Sequence, residues 1–204
     1  MTDPLLKYRE QHKHRLNYMP WLYWSLKPKH REWAEQWQAE YQAYLMEMET
    51  IEIGKNCFIS PLAHIFAERG RKITIGDNTF IAADCTLHGP LEIGNEVAIN
   101  HHCILDGGRA GIKLHDQVRI AAYSHLYAFD HGMDLDRPIY QQAVTSKGIE
   151  IGRDVWLGAH VGIKDGVKIG HHAVVGMNSM VTKNIEDFAI VAGNPARLIR
   201  YRTE

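Results

Sequence analysis

The sequence predicts a mainly β protein, wound as a parallel β-helix from hexapeptide strands. Three observations carry this: a four-residue phrase that returns at a nearly fixed interval, a finer period of six inside each interval, and one long break in the rhythm. The phrase is aliphatic-x-aliphatic, usually followed by Gly: IEIG from Ile51, ITIG from Ile73, LEIG from Leu91, IKLH from Ile112, IEIG from Ile149 and VKIG from Val167. The intervals are 22, 18, 21, 37 and 18, which is a unit of 18 with additions of 4, 0, 3, 19 and 0. A fixed period with insertions is the signature of a solenoid in which each unit stacks on its neighbour. Six coils are implied.

The inner period is clearest near the end, where Ile151, Leu157, Ile163, Ile169, Val175 and Val181 are six apart and Val155, Val161, Val167, Ala173 and Ser179 sit four residues on. Six does not fit a helix of 3.6 residues per turn, and one strand of such length would be far outside the usual range. The chain must therefore turn after every short strand, three strands to a coil. Cys57, Cys85 and Cys103 each lie four residues after an aliphatic position, so they read as interior packing residues and not as nucleophiles.

The first fifty residues follow another rule. REWAEQWQAEYQAYLMEM places Trp33, Trp37, Tyr41 and Tyr44 at helical spacing, after an aromatic cluster YMPWLYW. A solenoid end needs a cap, so residues 1–50 are expected to form a helical cap or a subunit contact, 51–193 the β-helix with an inserted loop at about 127–148, and 194–204 a short C-terminal helix, with Asn194-Pro195 as N-cap and first helical residue.

Composition bounds the function. The 204 residues are 45% hydrophobic and 23% charged, with 23 Lys+Arg against 24 Asp+Glu, which gives no electrostatic case for nucleic acid or an anionic membrane. No apolar run is long enough to span a bilayer, and the start MTDPLLKYRE lacks the features of a signal peptide, so a cytoplasmic location is expected. Three widely spaced cysteines argue against a disulfide framework.

IGRDVWLGAHVGIKDGVKIGHHAVVGMNSMVTKNI, followed by VAGNPARLIR, resembles the closing half of hexapeptide-repeat O-acetyltransferases, the group of galactoside and maltose acetyltransferases and enzymes that acetylate bacterial surface polysaccharides. The resemblance covers roughly residues 51–200. It implies a left-handed helix, a homotrimer, acetyl-CoA as cosubstrate without a metal, and an active site between subunits. It gives the break a meaning, because in similar enzymes the excursion carries the catalytic histidine, here His131, in a segment resembling DHG…PI…Q.VTS.

An imidazole suits the general-base step of moving an acetyl group directly to a sugar hydroxyl. The resemblance further implies Asn100 beside the acceptor, Trp156 alongside CoA, Gly158, Ala159, Gly176 and Met177 near the pantetheine arm, and Thr182, Lys183, Arg197 and Arg200 at the CoA phosphates. Arg197 and Arg200, three apart, would share one helix face. Gly158 and Ala159 are the candidate backbone donors for an oxyanion. The acceptor is expected to be a saccharide or a surface-polysaccharide precursor.

Two features depart from the pattern. Met177-Asn178 stands where a small pair such as Ala-Gly is usual, and the amino-terminal segment differs from that of the simple-sugar enzymes, which leaves the acceptor open. Two other classes compete. A trimeric zinc carbonic-anhydrase-like β-helix would need close paired histidines, but no His-x4-His occurs; His101-His102 and His171-His172 read as surface positions whose side chains diverge. A noncatalytic scaffold would not respond to acetyl-CoA.

Overall fold

A computed structural model describes residues 5–203. Helix α1 (Leu6–Tyr18), a 3-10 turn (Pro20–Leu22) and helix α2 (Pro28–Met48) lead into six coils. Each coil contributes one strand of two or three residues to each of three parallel sheets, here A, B and C. Sheet A aligns the repeated phrase in register: Ile51 on Ile73, Leu91, Ile112 and Ile149. Strands this short cannot stand alone. Their backbone groups bond to the next coil, and the aliphatic positions stack inside the prism.

One interior column, Ile59, Ile81, Ile99, Ile120, Leu157 and Val175, is wholly buried, and Cys57, Cys85 and Cys103 fill the small interior positions. Burial pushes the Cys57 thiol up, and a hydrogen bond with Cys103 together with burial does the same to Cys85, which accords with packing residues. The added 19 residues leave the prism at the corner between sheets C and A, as the break in spacing predicts.

Nearly all turns at two of the three corners use a left-handed residue. At the A–B corner these are Asn56, Asn78, Glu96, Gln117, Asp154 and His172, and at the B–C corner Asp84, His102, Tyr123, His160 and Asn178, all with φ between 54° and 65°. Asn, Asp and His tolerate this region better than most residues.

The amino-terminal segment does two jobs. Gln38 of α2 donates to the Ile59 carbonyl (3.1 Å) and accepts from the Ile59 N–H (2.8 Å), while Gln42 donates to the Cys57 carbonyl (2.9 Å). These side-chain amides replace the missing coil at the open end. Leu16, Tyr23 and Ala34 pack on Phe58, Phe80 and Ala98, so the segment also lies along the outer face of sheet B.

The C-terminal helix expectation is corrected. Arg197–Tyr201 is a strand, antiparallel to Ala189–Ala192, which itself sits on Val174–Val175. Gly193, at φ +103°, turns the chain back, and the open edge of sheet B offers backbone partners that an isolated five-residue helix would lack. Asn194 is therefore not an N-cap. No helix among the described residues is long and apolar enough to cross a membrane.

Ile120 lies at 0% exposure in the middle of the column. Ile120→Ala should cost about 2–5 kcal/mol of stability, read from a urea or guanidinium denaturation midpoint.

Candidate functional site

His131 stands on an inserted hairpin, Asp130–His131 pairing antiparallel with Val144–Thr145. The neck of the hairpin is fixed from both sides. The Ser146 hydroxyl donates to the Ala128 carbonyl and accepts from the Arg109 and Ala110 N–H groups (3.0 and 2.9 Å). The buried Asp165 carboxylate accepts from the Lys147 and Gly148 N–H groups, each at 2.9 Å for the nearer oxygen.

Inside the loop, the Gln142 amide donates to the carbonyls of Asp134 and Arg137 and accepts from the Asp134 N–H, all at 2.8 Å. A side chain at Gly132 would meet Gln142 Oε1 at 2.7 Å and displace the amide that fills the loop. Asp130, adjacent in sequence, turns to Lys164 (2.9 Å) and does not orient His131. The His131 imidazole is exposed and makes no hydrogen bond within the described chain.

Five of the other candidates, Asn100, Gly158, Ala159, Gly176 and Met177, lie on a different edge. Asn100, Gly158 and Gly176 take equivalent places at the B–C corner, in line with Ala121, and each of the four donates its backbone N–H to the coil above, at 2.8–3.0 Å. The N–H groups of Ala159 and Met177, one residue on, bond to nothing among the described residues. Gly158 is thus spent as a donor, whereas Ala159 and Met177 present open N–H groups. Gly158 is required for another reason: a Cβ there would meet the Met177 nitrogen at 2.6 Å. Asn178 takes the left-handed corner at φ 57°, so the Met177-Asn178 departure is compatible with the turn.

Trp156, 55% exposed, sits on the outer face of sheet B between Arg119 and Val174. It shares a cavity of about 540 Å3 with Arg200 and Arg202. Thr182, Lys183 and Arg197 line another, of about 360 Å3. Arg197 and Arg200 do not share a helix face, because both lie on a strand, and their side chains line different cavities. The largest cavity, about 820 Å3 on the outside of sheet A, contains none of the expected residues; of its lysines, Lys72, Lys113 and Lys168 are paired with Glu52, Glu92 and Glu150.

A ring ladder on the B–C corner escaped the sequence reading. His102 stacks on Tyr123 (4.7 Å between ring centres), and Tyr123 stacks on His160 (4.9 Å, 3° between planes). The reading that paired histidines diverge is corrected as well. His101 and His102 bring their Nδ1 atoms to 3.0 Å, since His102 occupies a turn and not a strand. Burial and His102 hold the His101 pKa below its ordinary 6.5. The signal was available: residues 84, 102, 123, 160 and 178 repeat the intervals of the aliphatic phrase.

Among the described residues, no group of three or more His, Cys, Asp or Glu is arranged to hold a metal ion.

The class of fold is a six-coil solenoid with one long excursion and glycines at its corners. Residues 148–183 match the bacterial transferase hexapeptide (six repeats) family. The fold is similar to that of a mutant of AntD, an N-acyltransferase from Bacillus cereus, in complex with dTDP and coenzyme A: 30% identity, TM-score 0.71, covering 79% of this chain and 89% of that one. A putative colanic acid biosynthesis acetyltransferase, WcaF, of Escherichia coli K12 is 29% identical over 90% of this chain and 87% of its own. A probable acetyltransferase of Mycobacterium tuberculosis is 32% identical over 136 residues, and the chain spans 44% of that relative's length. The chain belongs to the hexapeptide-repeat transferase family.

Asp154 ties the last strand to the prism. It accepts from His172 Nδ1 (2.9 Å) and pairs with Arg202 (3.2 Å), which hold its pKa below the ordinary 3.8, the His172 bond most of all. A depressed carboxylate stabilises the fold above its unfolded pKa and loses that contribution as pH falls through its folded value. Thermal midpoints of the wild type and Asp154→Asn should therefore differ at neutral pH and converge as the pH falls well below the ordinary 3.8.

Proposed function

We propose that the protein transfers an acetyl group from acetyl-CoA to a sugar hydroxyl, acting as a cytoplasmic homotrimer with His131 as general base. The observation that carries this is the division of the site. His131 leaves the prism at the C–A edge, whereas Asn100, Gly158, Ala159, Gly176 and Met177 line the B–C edge, with sheet C between. Two such edges complement each other when neighbouring prisms pack around an axis.

In this reading the acceptor hydroxyl gives its proton to the His131 imidazole as it attacks the thioester carbonyl. The oxyanion of the tetrahedral intermediate receives the open N–H groups of Ala159 and Met177, and the protonated imidazole then supplies the departing CoA thiolate. Asn100 holds the acceptor in line. Trp156 flanks the pantetheine arm, and Thr182, Lys183, Arg197 and Arg200 face the CoA phosphates, the last two from different cavities and so in contact with different phosphate groups. The likeness to WcaF and to a CoA-bound N-acyltransferase supports the donor and favours a polysaccharide precursor as acceptor.

CoA release, followed with a thiol reagent on a panel of saccharides, should fall by about 10²–10⁴-fold in His131→Ala with acetyl-CoA binding retained. Release that is unaffected by the change would place the base elsewhere.

Subunit mixing tests the shared site. When His131→Ala and Asn100→Ala chains are unfolded together and refolded, mixed trimers should regain activity that neither variant shows alone, because some sites then receive both wild-type side chains. No recovery in verified mixed trimers would refute a site divided between protomers.

A further inference from the structure

We propose that the cavity between the amino-terminal aromatics and Arg119 is the acceptor platform, and that it takes a neutral pyranose ring of a saccharide. This deepens the acetyl-transfer reading and rests on it. The cavity, of about 520 Å3, is lined by Trp21, Trp24, Phe80, Ala98, Asn100 and Arg119, with Asn78 and Glu96 on its rim. That is an ordinary size for a small-ligand pocket, with room for a sugar ring.

The register of sheet B explains how it arises. Its outer face runs Phe58, Phe80, Ala98, Arg119, Trp156, Val174, Ile190, Arg200, one residue per strand. The amino-terminal segment packs on the first three and ends at Ala98, whose small side chain leaves a floor between the aromatic wall and Arg119. The end of α1 closes the B–C side, where Tyr18 donates to Asp84 (2.9 Å) and its ring meets His101.

A pyranose has an apolar C–H face and a rim of hydroxyls, and the cavity offers both complements. Trp21 is half exposed and Trp24 packs beside Phe80, with 6.1 Å between ring centres. The polar groups keep unused capacity among the described residues. The Asn100 side-chain amide donates to the Ile120 carbonyl, and its side-chain oxygen Oδ1 accepts nothing. Asn78 Oδ1 accepts from Asn56, and its side-chain N–H groups donate to nothing. Glu96 uses one carboxylate oxygen for Gln117, and Arg119 uses one nitrogen for the Glu96 carbonyl.

Charge decides the class of saccharide. The one guanidinium is matched by the one carboxylate, so a phosphate or nucleotide substituent gains no net attraction here. A neutral ring can take hydrogen bonds from both groups. The adjoining cavity is the more basic one: Arg119 borders both, and there Arg200 and Arg202 face the single carboxylate of Asp154 beside Trp156, on the side assigned to the donor.

Glycan-array screening, followed by titration of tryptophan fluorescence, should find a neutral oligosaccharide that binds more tightly than its nucleotide-linked or phosphorylated counterparts. Its affinity should drop about tenfold in Trp21→Ala and be largely kept in Trp21→Phe, with unchanged thermal midpoints. Preference for an anionic or nucleotide-linked sugar, no binding by any neutral saccharide, or wild-type affinity in Trp21→Ala would overturn the assignment. Acetyl-CoA, titrated in the same samples, separates the two readings: donor binding without saccharide binding sinks the platform alone, whereas a wild type that binds no acetyl-CoA sinks the transfer reaction.

Discussion

Almost everything in this molecule depends on hydrogen bonding between coils. Strands of two or three residues have no stability of their own, so each coil is held by the one above and the one below, and the aliphatic column inside supplies the burial that makes stacking favourable. The same dependence creates a problem at both ends, where a coil has no neighbour. The chain solves it differently at each. At the start, Gln38 and Gln42 project from a helix and bond to the backbone of Ile59 and Cys57 as a strand would. At the finish, the chain reverses at Gly193 and lays a strand along the exposed edge of sheet B.

Stacking also decides where chemistry can sit. Inward positions are filled with aliphatic side chains, so functional groups are confined to corners, outer faces and excursions. Corner positions repeat along the axis, which places Asn100, Gly158 and Gly176 on one line and lets the open N–H groups of Ala159 and Met177 recur in the coils between which a donor arm could run. The excursion can carry only what its neck holds firmly. Ser146 and Asp165 clamp that neck, and Gln142 fills the loop, so an exposed histidine is presented from a rigid base.

The outer face of sheet B shows how one register serves several purposes. Large aromatics at its first coils bind the amino-terminal segment, a small alanine leaves a hollow, and arginines with Trp156 follow. One residue per coil is enough to change the surface from a packing interface to an open groove within a few strand spacings. The outside of sheet A has been put to a different use. Its cross-strand Lys–Glu pairs are exposed and contribute little stability, but they keep a flat parallel sheet polar.

Periodicity along the chain was enough to establish the solenoid, its six coils, the interior place of the cysteines and the point where the chain leaves the prism, because each of these follows from a period of six and eighteen that stacking makes obligatory. Local motifs also pointed to His131 and to the corner glycines. Neither could decide what depends on contacts between distant residues. Whether Arg197 and Arg200 lie on a helix or a strand was settled by an open sheet edge, a partner that local propensity does not contain. Gln38, Gln42 and Asp165 acquire their roles only when folding brings backbone donors and acceptors to them across the chain. The separation of His131 from Asn100 onto two edges likewise exists only once the prism is closed, since spacing along a chain gives the order of residues but not the faces between them.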